Sequence, residues 1–338
     1  MSKKHIGKQS VWLETPPSIA GHACAVGKKE GEGPLADSFD YINNDSYWGE
    51  KSWEKAESAM QKRAFSLAAD KASIAPSSID YIFAGDLLNQ CIGSIFGLRE
   101  TEIPFFGIFG ACSTMAEGLS LAALAVDGGF ADTTAVVSSS HFCSAERQFR
   151  FPLEYGGVRT PTAQWTVTGA GAAILTAQGP GPYITHITTG KMVDAGITDA
   201  NNMGAAMAAS AYDTLSIHFS DTGFAPTDYD LIVTGDLGAV GHSIVLDFFR
   251  RDGLDLASNY NDCGLMIYAR EEQDVNAGGS GCGCSASVLT GHLLNGMRAG
   301  RWNRILFAAT GALMSPTSSQ QGESIPGICH AVSISSCI

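Results

Sequence analysis

Charge is scarce in this chain. Asp, Glu, Lys and Arg make up 16% of its 338 residues, and acids outnumber bases 34 to 21. A net charge of −13 argues against a nucleic-acid partner and offers no general attraction to an anionic membrane surface. Long apolar runs are missing too. The best, residues 103–116, falls short of the roughly 20 residues a spanning helix needs and stops at Glu117. Met1-Ser2-Lys3-Lys4-His5 is followed by no apolar core, so no secretory signal is expected. The nine cysteines lack the spacing of a disulfide framework, and the expectation is a reducing, intracellular compartment with mostly buried thiols. Zinc is not expected. Cys282-Gly283-Cys284 is not a C-x2-C pair, and no second pair or neighbouring His completes a set with Cys263 or Cys329. Gly278-Gly279-Ser280-Gly281 lacks the Lys of a phosphate loop.

What is present is glycine, 39 residues of it, and an apolar content of 45%, the composition of a packed protein with many tight turns. Residues 6–50 read as irregular. Residues 53–71 read as an amphipathic helix, with Ala56, Met60, Ala64 and Leu67 on one face. A strand at 80–84, a short helix at 87–98 and a buried strand at 104–109 follow. Then come a helix at 115–126 closed by Gly128-Gly129, a strand at 133–139, an aromatic loop at 141–157 and a strand at 170–176. Gly179-Pro180-Gly181-Pro182 reads as a hinge.

The second half repeats the first. Ala75 to Leu87 aligns without a gap on Ala225 to Leu237, and seven of the 13 positions are identical, including the closing Gly-Asp-Leu. Gly110-Ala111-Cys112-Ser113 is echoed by Cys282-Gly283-Cys284-Ser285, and each is followed by an apolar helix, a glycine and a strand. Alternating strands and helices in two copies predict an α/β fold of two similar halves, 1–178 and 179–338, related by pseudo-two-fold symmetry.

The candidate site is Phe109-Gly110-Ala111-Cys112-Ser113-Thr114. A strand that turns into a helix here leaves free N–H groups at the helix start, which favour negative charge near the Cys112 sulfur. Cys112 reads as a pocket-lining residue, a packed small hydrophobe or a nucleophile.

A duplicated α/β chain with this cysteine corner resembles the thiolase and ketosynthase superfamily, which implies a thiolase-like five-layered αβαβα fold from two duplicated halves. Several stretches narrow the likeness: Ala84-Gly85-Asp86-Leu87-Leu88-Asn89-Gln90, the Cys112 corner, Ala145-Glu146-Arg147-Gln148-Phe149-Arg150-Phe151-Pro152, Glu154-Tyr155-Gly156-Gly157 and Thr234-Gly235-Asp236-Leu237. They resemble the stage V sporulation protein AD family over nearly the whole chain. That resemblance implies a sporulation and germination role: binding dipicolinic acid, as its calcium chelate, and loading it into the spore. It implies membrane-embedded partners from the same operon and a peripheral place at the spore inner membrane. It also implies a homodimer, for which pairing of the 133–139 strands is the expectation.

Ketosynthases of the acyl-carrier type carry His-Gln-Ala-Asn and Gly-Asn-Thr-Ser-Ala in their second halves. Here the corresponding places hold Thr234-Gly235-Asp236-Leu237 and Gly281-Cys282-Gly283-Cys284-Ser285-Ala286. With the histidine and asparagine missing, a non-catalytic binding protein is expected, and a condensing or thioester-cleaving enzyme using Cys112 is the alternative. A structural scaffold is the third reading. No resident cofactor is expected, and Ca2+ enters only with the ligand.

For a flat dicarboxylate the expected contacts are Cys112, Ser113 and Thr114 at the corner, Cys284 at its echo, and Arg147 and Arg150. The two arginines share one face if their segment is helical; pairing with Glu146 and Glu154 is the alternative. Asp86 and Asp236 could offer calcium oxygens or close turns, and His141 could face the pocket or bond its loop.

Overall fold

The computed structural model describes residues 4–149 and 158–338. Ten strands carry the fold. In the first half these are β1 (Ser18–Gly27), β2 (Tyr81–Gly85), β3 (Phe105–Gly107), β4 (Thr133–Ser140) and β5 (Gly169–Thr176). In the second they are β6 (Tyr183–Thr188), β7 (Leu231–Thr234), β8 (Tyr260–Asp262), β9 (Arg304–Ala312) and β10 (Gly327–Ser335). Their spatial orders are β1-β5-β4-β2-β3 and β6-β10-β9-β7-β8. Both are the same permutation of chain order, so the duplication seen in the sequence is also a duplication of topology. The two sheets join where Ser18 of β1 pairs with Tyr183 of β6.

The chief helices are α1 (Trp53–Ala72), α2 (Ile92–Leu98), α3 (Thr114–Asp127), α4 (Phe142–Phe149), α5 (Met203–Thr222), α6 (Gly238–Arg251) and α7 (Cys282–Ser287). The last runs through a π-helical turn, Val288–Leu293, into α8 (Leu294–Arg298). Helix α1 covers the outer face of β1, β4 and β5. Helix α5, with α6 beside it, covers β9 and β10. Helices α3 and α7 lie on the inner side, and α3 touches strands of both sheets, which makes the five layers αβαβα.

Position in these layers explains the residue patterns. Ser52 caps α1 by accepting from the Lys55 N–H, and Ala56, Met60, Ala64 and Ala68 recur every four residues on its buried side. Central α3 instead buries Met115, Ala116, Leu119, Ala122, Ala123 and Val126, on more than one face. Strands β4 and β5 have both faces covered and lose the alternation of a half-exposed strand.

Four expectations need correction. Residues 6–50 are not irregular: they contain β1, whose buried run Ser18-Ile19-Ala20-Gly21-His22-Ala23-Cys24-Ala25 has no period to betray it. Residues 104–109 are not a buried strand, because β3 is a three-residue edge strand with all three residues exposed. The segment read as a loop from 141 begins as helix α4. Strand β4 cannot pair with a second copy, because β2 occupies one side of it and β5 the other; the edge of this sheet is β3.

Candidate functional site

The chain leaves β3, passes Phe109 and Gly110, and makes a single 3-10 turn, Ala111–Ser113, before α3 begins. Ala111 holds φ +50, a left-handed backbone that a residue with a side chain adopts only when its surroundings enforce it. The enforcement is local and tertiary together. Ser113 Oγ donates to Gly110 O at 2.7 Å, Thr114 Oγ1 donates to Ala111 O at 2.6 Å, and Gly110 N donates to Thr114 Oγ1 at 3.2 Å. From the other half, β9 presses Gly311 against the corner. A Cβ there would overlap Gly110 O and lie 3.2 Å from Ser113 N, so only glycine fits. The hydroxyls of Ser113 and Thr114 are thus committed to the turn rather than presented to a ligand.

Cys112 is buried at the centre of the corner. The Asp236 carboxylate and the Gly281 backbone lie against its sulfur. Asp236 follows β7 and is itself held by Gly281 N at 2.8 Å, Ser280 Oγ at 3.2 Å and Thr310 Oγ1 at 3.0 Å. Burial pushes the Cys112 thiol well above its ordinary value, and the negative charge of Asp236 pushes it further. Burial likewise raises Asp236 to about 6 against the pull of these hydrogen bonds. Behind it, Asp262 closes the start of α6 by accepting from Leu237 N, Gly238 N and Thr234 Oγ1.

A cavity opens beside the sulfur, about 50 Å³ of it accessible to the centre of a water molecule. Its polar lining is Cys112, Glu146, Gln164, Thr166, Asn201 and Ser280, and its apolar wall includes Leu87, Phe109, Met203 and Met314. Glu146 pairs with Arg159 at 3.0 Å and accepts from Thr166 Oγ1 at 2.9 Å. Gln164 donates to Asp236 O at 2.6 Å and to Gly279 O at 2.8 Å. Its own Oε1, on a residue only 7% exposed, has no partner among the described residues. The described residues can therefore offer a small ligand acceptors and a polarizable wall, and they offer Cys112 no base stronger than a carboxylate.

Of the residues singled out from sequence, Cys112 lines the cavity and Asp236 touches its sulfur. Asp86 sits at the end of β2, where it closes the turn onto Leu88 N and Ser94 N. His141 is held by Ser46 O at 2.8 Å and accepts from Cys143 N. Arg147 pairs with Glu54 and lies over the Trp53 ring, not with Glu146. Cys284 packs into the core towards Gly235 O, and it is Cys282 that clusters with Cys112, Leu87 and Ala145. Arg150 lies outside the described residues. Gln164, Glu146, Arg159 and Ser280 were not legible as site residues. They converge through the short parallel pairing of Trp165–Thr166 with Gly279–Ser280, a contact between segments more than a hundred residues apart.

The family model for Stage V sporulation protein AD matches residues 7–335. The chain belongs to that family. Stage V sporulation protein AD of Bacillus subtilis (strain 168) is 46% identical over 330 residues, covering 97% of each chain. Among solved structures, a single-substitution variant of OleA from Xanthomonas campestris shares the fold with a TM-score of 0.61 at 16% identity, over 96% of this chain and 99% of that one. 3-Oxoacyl-[acyl-carrier-protein] synthase III from Aquifex aeolicus VF5 does so with 0.58 at 14% identity, over 94% and 99%. The expected thiolase-like architecture is therefore the observed one.

Proposed function

We propose that this sporulation-family chain is a non-catalytic binding component of the spore's dipicolinate uptake machinery, holding the ligand, as its calcium chelate, in the cavity beside Cys112. One observation carries the reading: the buried Cys112 thiol lies against a carboxylate, Asp236, in the stretch Thr234-Gly235-Asp236-Leu237, which stands where the ketosynthase resemblance sets a histidine-bearing one. Thioester chemistry needs the thiolate, and an adjacent anion opposes it. What remains is a small pocket with an acceptor at Gln164, a flat wall at Phe109, and the oxygens of Thr166 and Ser280, whose hydrogens go to Glu146 and Asp236 and which therefore face a ligand as acceptors suited to its calcium. No described helix is long and apolar enough to cross a membrane, so attachment at the spore inner membrane would run through membrane-embedded partners.

The same reading includes a homodimer through β3. That edge strand has hydrogen-bonding groups free on one side, and Phe105, Phe106, Ile95 and Phe96 stand exposed around it.

Calorimetry with dipicolinate, with and without Ca2+, tests the function. Saturable binding that Cys112→Ala weakens supports it, and no binding at millimolar ligand refutes it for the isolated protein. The retained corner with its left-handed Ala111, on the fold of condensing enzymes, favours a second reading as an acyltransferase. A stoichiometric mass adduct at Cys112 after incubation with acyl-CoA would establish that reading in place of the first.

A further inference from the structure

Two carboxylates that the site does not use lie buried behind it. Glu57 projects from the inner face of α1, and Asp86 ends β2; neither side chain reaches solvent. Both flank Gly93 of α2. A Cβ built on Gly93 of α2 would lie 3.2 Å from the Asp86 carboxyl carbon and 3.4 Å from that of Glu57. Their hydrogen-bond partners are neutral. Glu57 accepts from Ser139 Oγ at 2.8 Å and from Ser144 Oγ at 2.7 Å. Asp86 accepts from Ser94 N at 2.7 Å and Ser94 Oγ at 2.6 Å, and Gln61 Nε2 bridges Ser94 and Ser139.

Other charged groups on the surrounding elements are engaged elsewhere. On α1, Glu54 is taken by Arg147 of α4, and Glu146 of α4 is taken by Arg159. Helix α2 presents only Ser94 and Gly93 here, and β4 only Ser139. The remaining titratable neighbours are thiols, Cys282 of α7 beside both acids and Cys91 beside Asp86. Among the described residues, no Lys or Arg pairs with either carboxylate.

Two like charges this close in a dry site do not both ionise. We propose that Glu57 and Asp86 share one proton in the folded protein, and that this proton clamps α1, α2 and α4 together behind the cavity, tightly in mildly acidic surroundings and more loosely as pH rises. Helix α4 matters because it carries Glu146 of the cavity wall. Burial and the Asp86 charge push Glu57 well above the ordinary carboxylate range, consistent with a held proton. The pair titrates as a unit.

The sign follows from linkage. A clamp that holds a proton the opened state releases weakens as pH rises from the opened-state value to that of the closed pair, and stays constant above it. Hydrogen exchange on the peptide spanning Phe142–Phe149 should therefore be compared in the wild type and in Glu57→Gln, which has no proton to lose. The wild-type-to-variant ratio should rise by up to about tenfold per pH unit above pH 5 and level off near pH 8. A ratio that stays constant from pH 5 to 9 overturns the proposal. Asp86→Asn is the second variant: it leaves Glu57 raised by burial alone, so the variant should keep part of the pH dependence, with its levelling-off moved to lower pH than in wild type. Infrared difference spectra, wild type minus Glu57→Gln, both carrying 13C-glutamate, separate the Glu57 carboxyl from other buried glutamates such as Glu30. One buried protonated carboxyl band should persist at pH 7 and vanish above pH 8, and its absence at pH 7 would equally overturn the proposal.

Discussion

Replacing Asp236 by Asn should make Cys112 more reactive, which is the reverse of what removing a catalytic acid or base would do. Two causes hold the thiol up, burial first and the Asp236 charge second, and the substitution removes only the second while keeping shape. A neighbouring charge moves a titrating group by about 1–3 units. Removing that charge raises the thiolate fraction at pH 8, while burial, the larger cause, still holds the thiol up. The lower nucleophilicity of a more acidic thiol trims the gain in alkylation rate to about 3–10-fold. Gly281 N–H, which donates to Asp236 and lies beside the sulfur, remains near enough to favour the thiolate. Peptide-resolved mass spectrometry of iodoacetamide labelling at pH 7–9 reads this directly, with Cys112→Ala identifying the site. An unchanged or slower rate in Asp236→Asn would mean that Asp236 does not suppress the thiol.

Other outcomes follow from the same contacts. Gly311→Ala should lower stability by about 1–3 kcal/mol, seen as a reduced unfolding temperature, because its Cβ would meet the Gly110 carbonyl. Ala200→Trp, at the partly exposed rim of the cavity, should cut dipicolinate affinity at least about tenfold (~1.4 kcal/mol) in calorimetry while leaving circular dichroism unchanged. Phe105→Lys on the edge strand should convert a dimer, by light scattering, into a 35.4 kDa monomer; a wild type already monomeric at micromolar concentration would sink the edge-pairing reading. Asp262 is raised by burial to about 7, above its unfolded value, so its contribution to stability is full below pH 4 and lost as pH rises to 7. Denaturant titrations from pH 4 to 8 should show a smaller decline in Asp262→Asn than in wild type, the remainder coming from Asp236 and Glu57.

Local signals were readable where local chemistry sets the structure. The four-residue rhythm of α1, the glycine end of α3 and the Gly-Asp-Leu repeat all stood in the sequence, and together they pointed to the two-half fold. The ten-residue strand β1 was not readable, because a strand buried on both faces among small residues loses its alternation. At the site, Cys112 was legible from its corner, and Asp236 from its place in the repeat. Gln164, Glu146 and Ser280 were not, since only the packing of one half against the other brings them to the sulfur. Ser113 and Thr114 were misleading for a physical reason. A hydroxyl two or three residues past a left-handed residue finds the corner's own carbonyls before it finds a ligand.

The most direct measurement is a crystal structure of the protein soaked with calcium dipicolinate. The proposed function predicts a flat ligand in the cavity against Phe109, with Gln164 Oε1 and Ser280 in contact and the Cys112 sulfur unmodified. An empty cavity at saturating ligand, or continuous density from Cys112 Sγ to an acyl carbon in crystals grown with acyl-CoA, would contradict it.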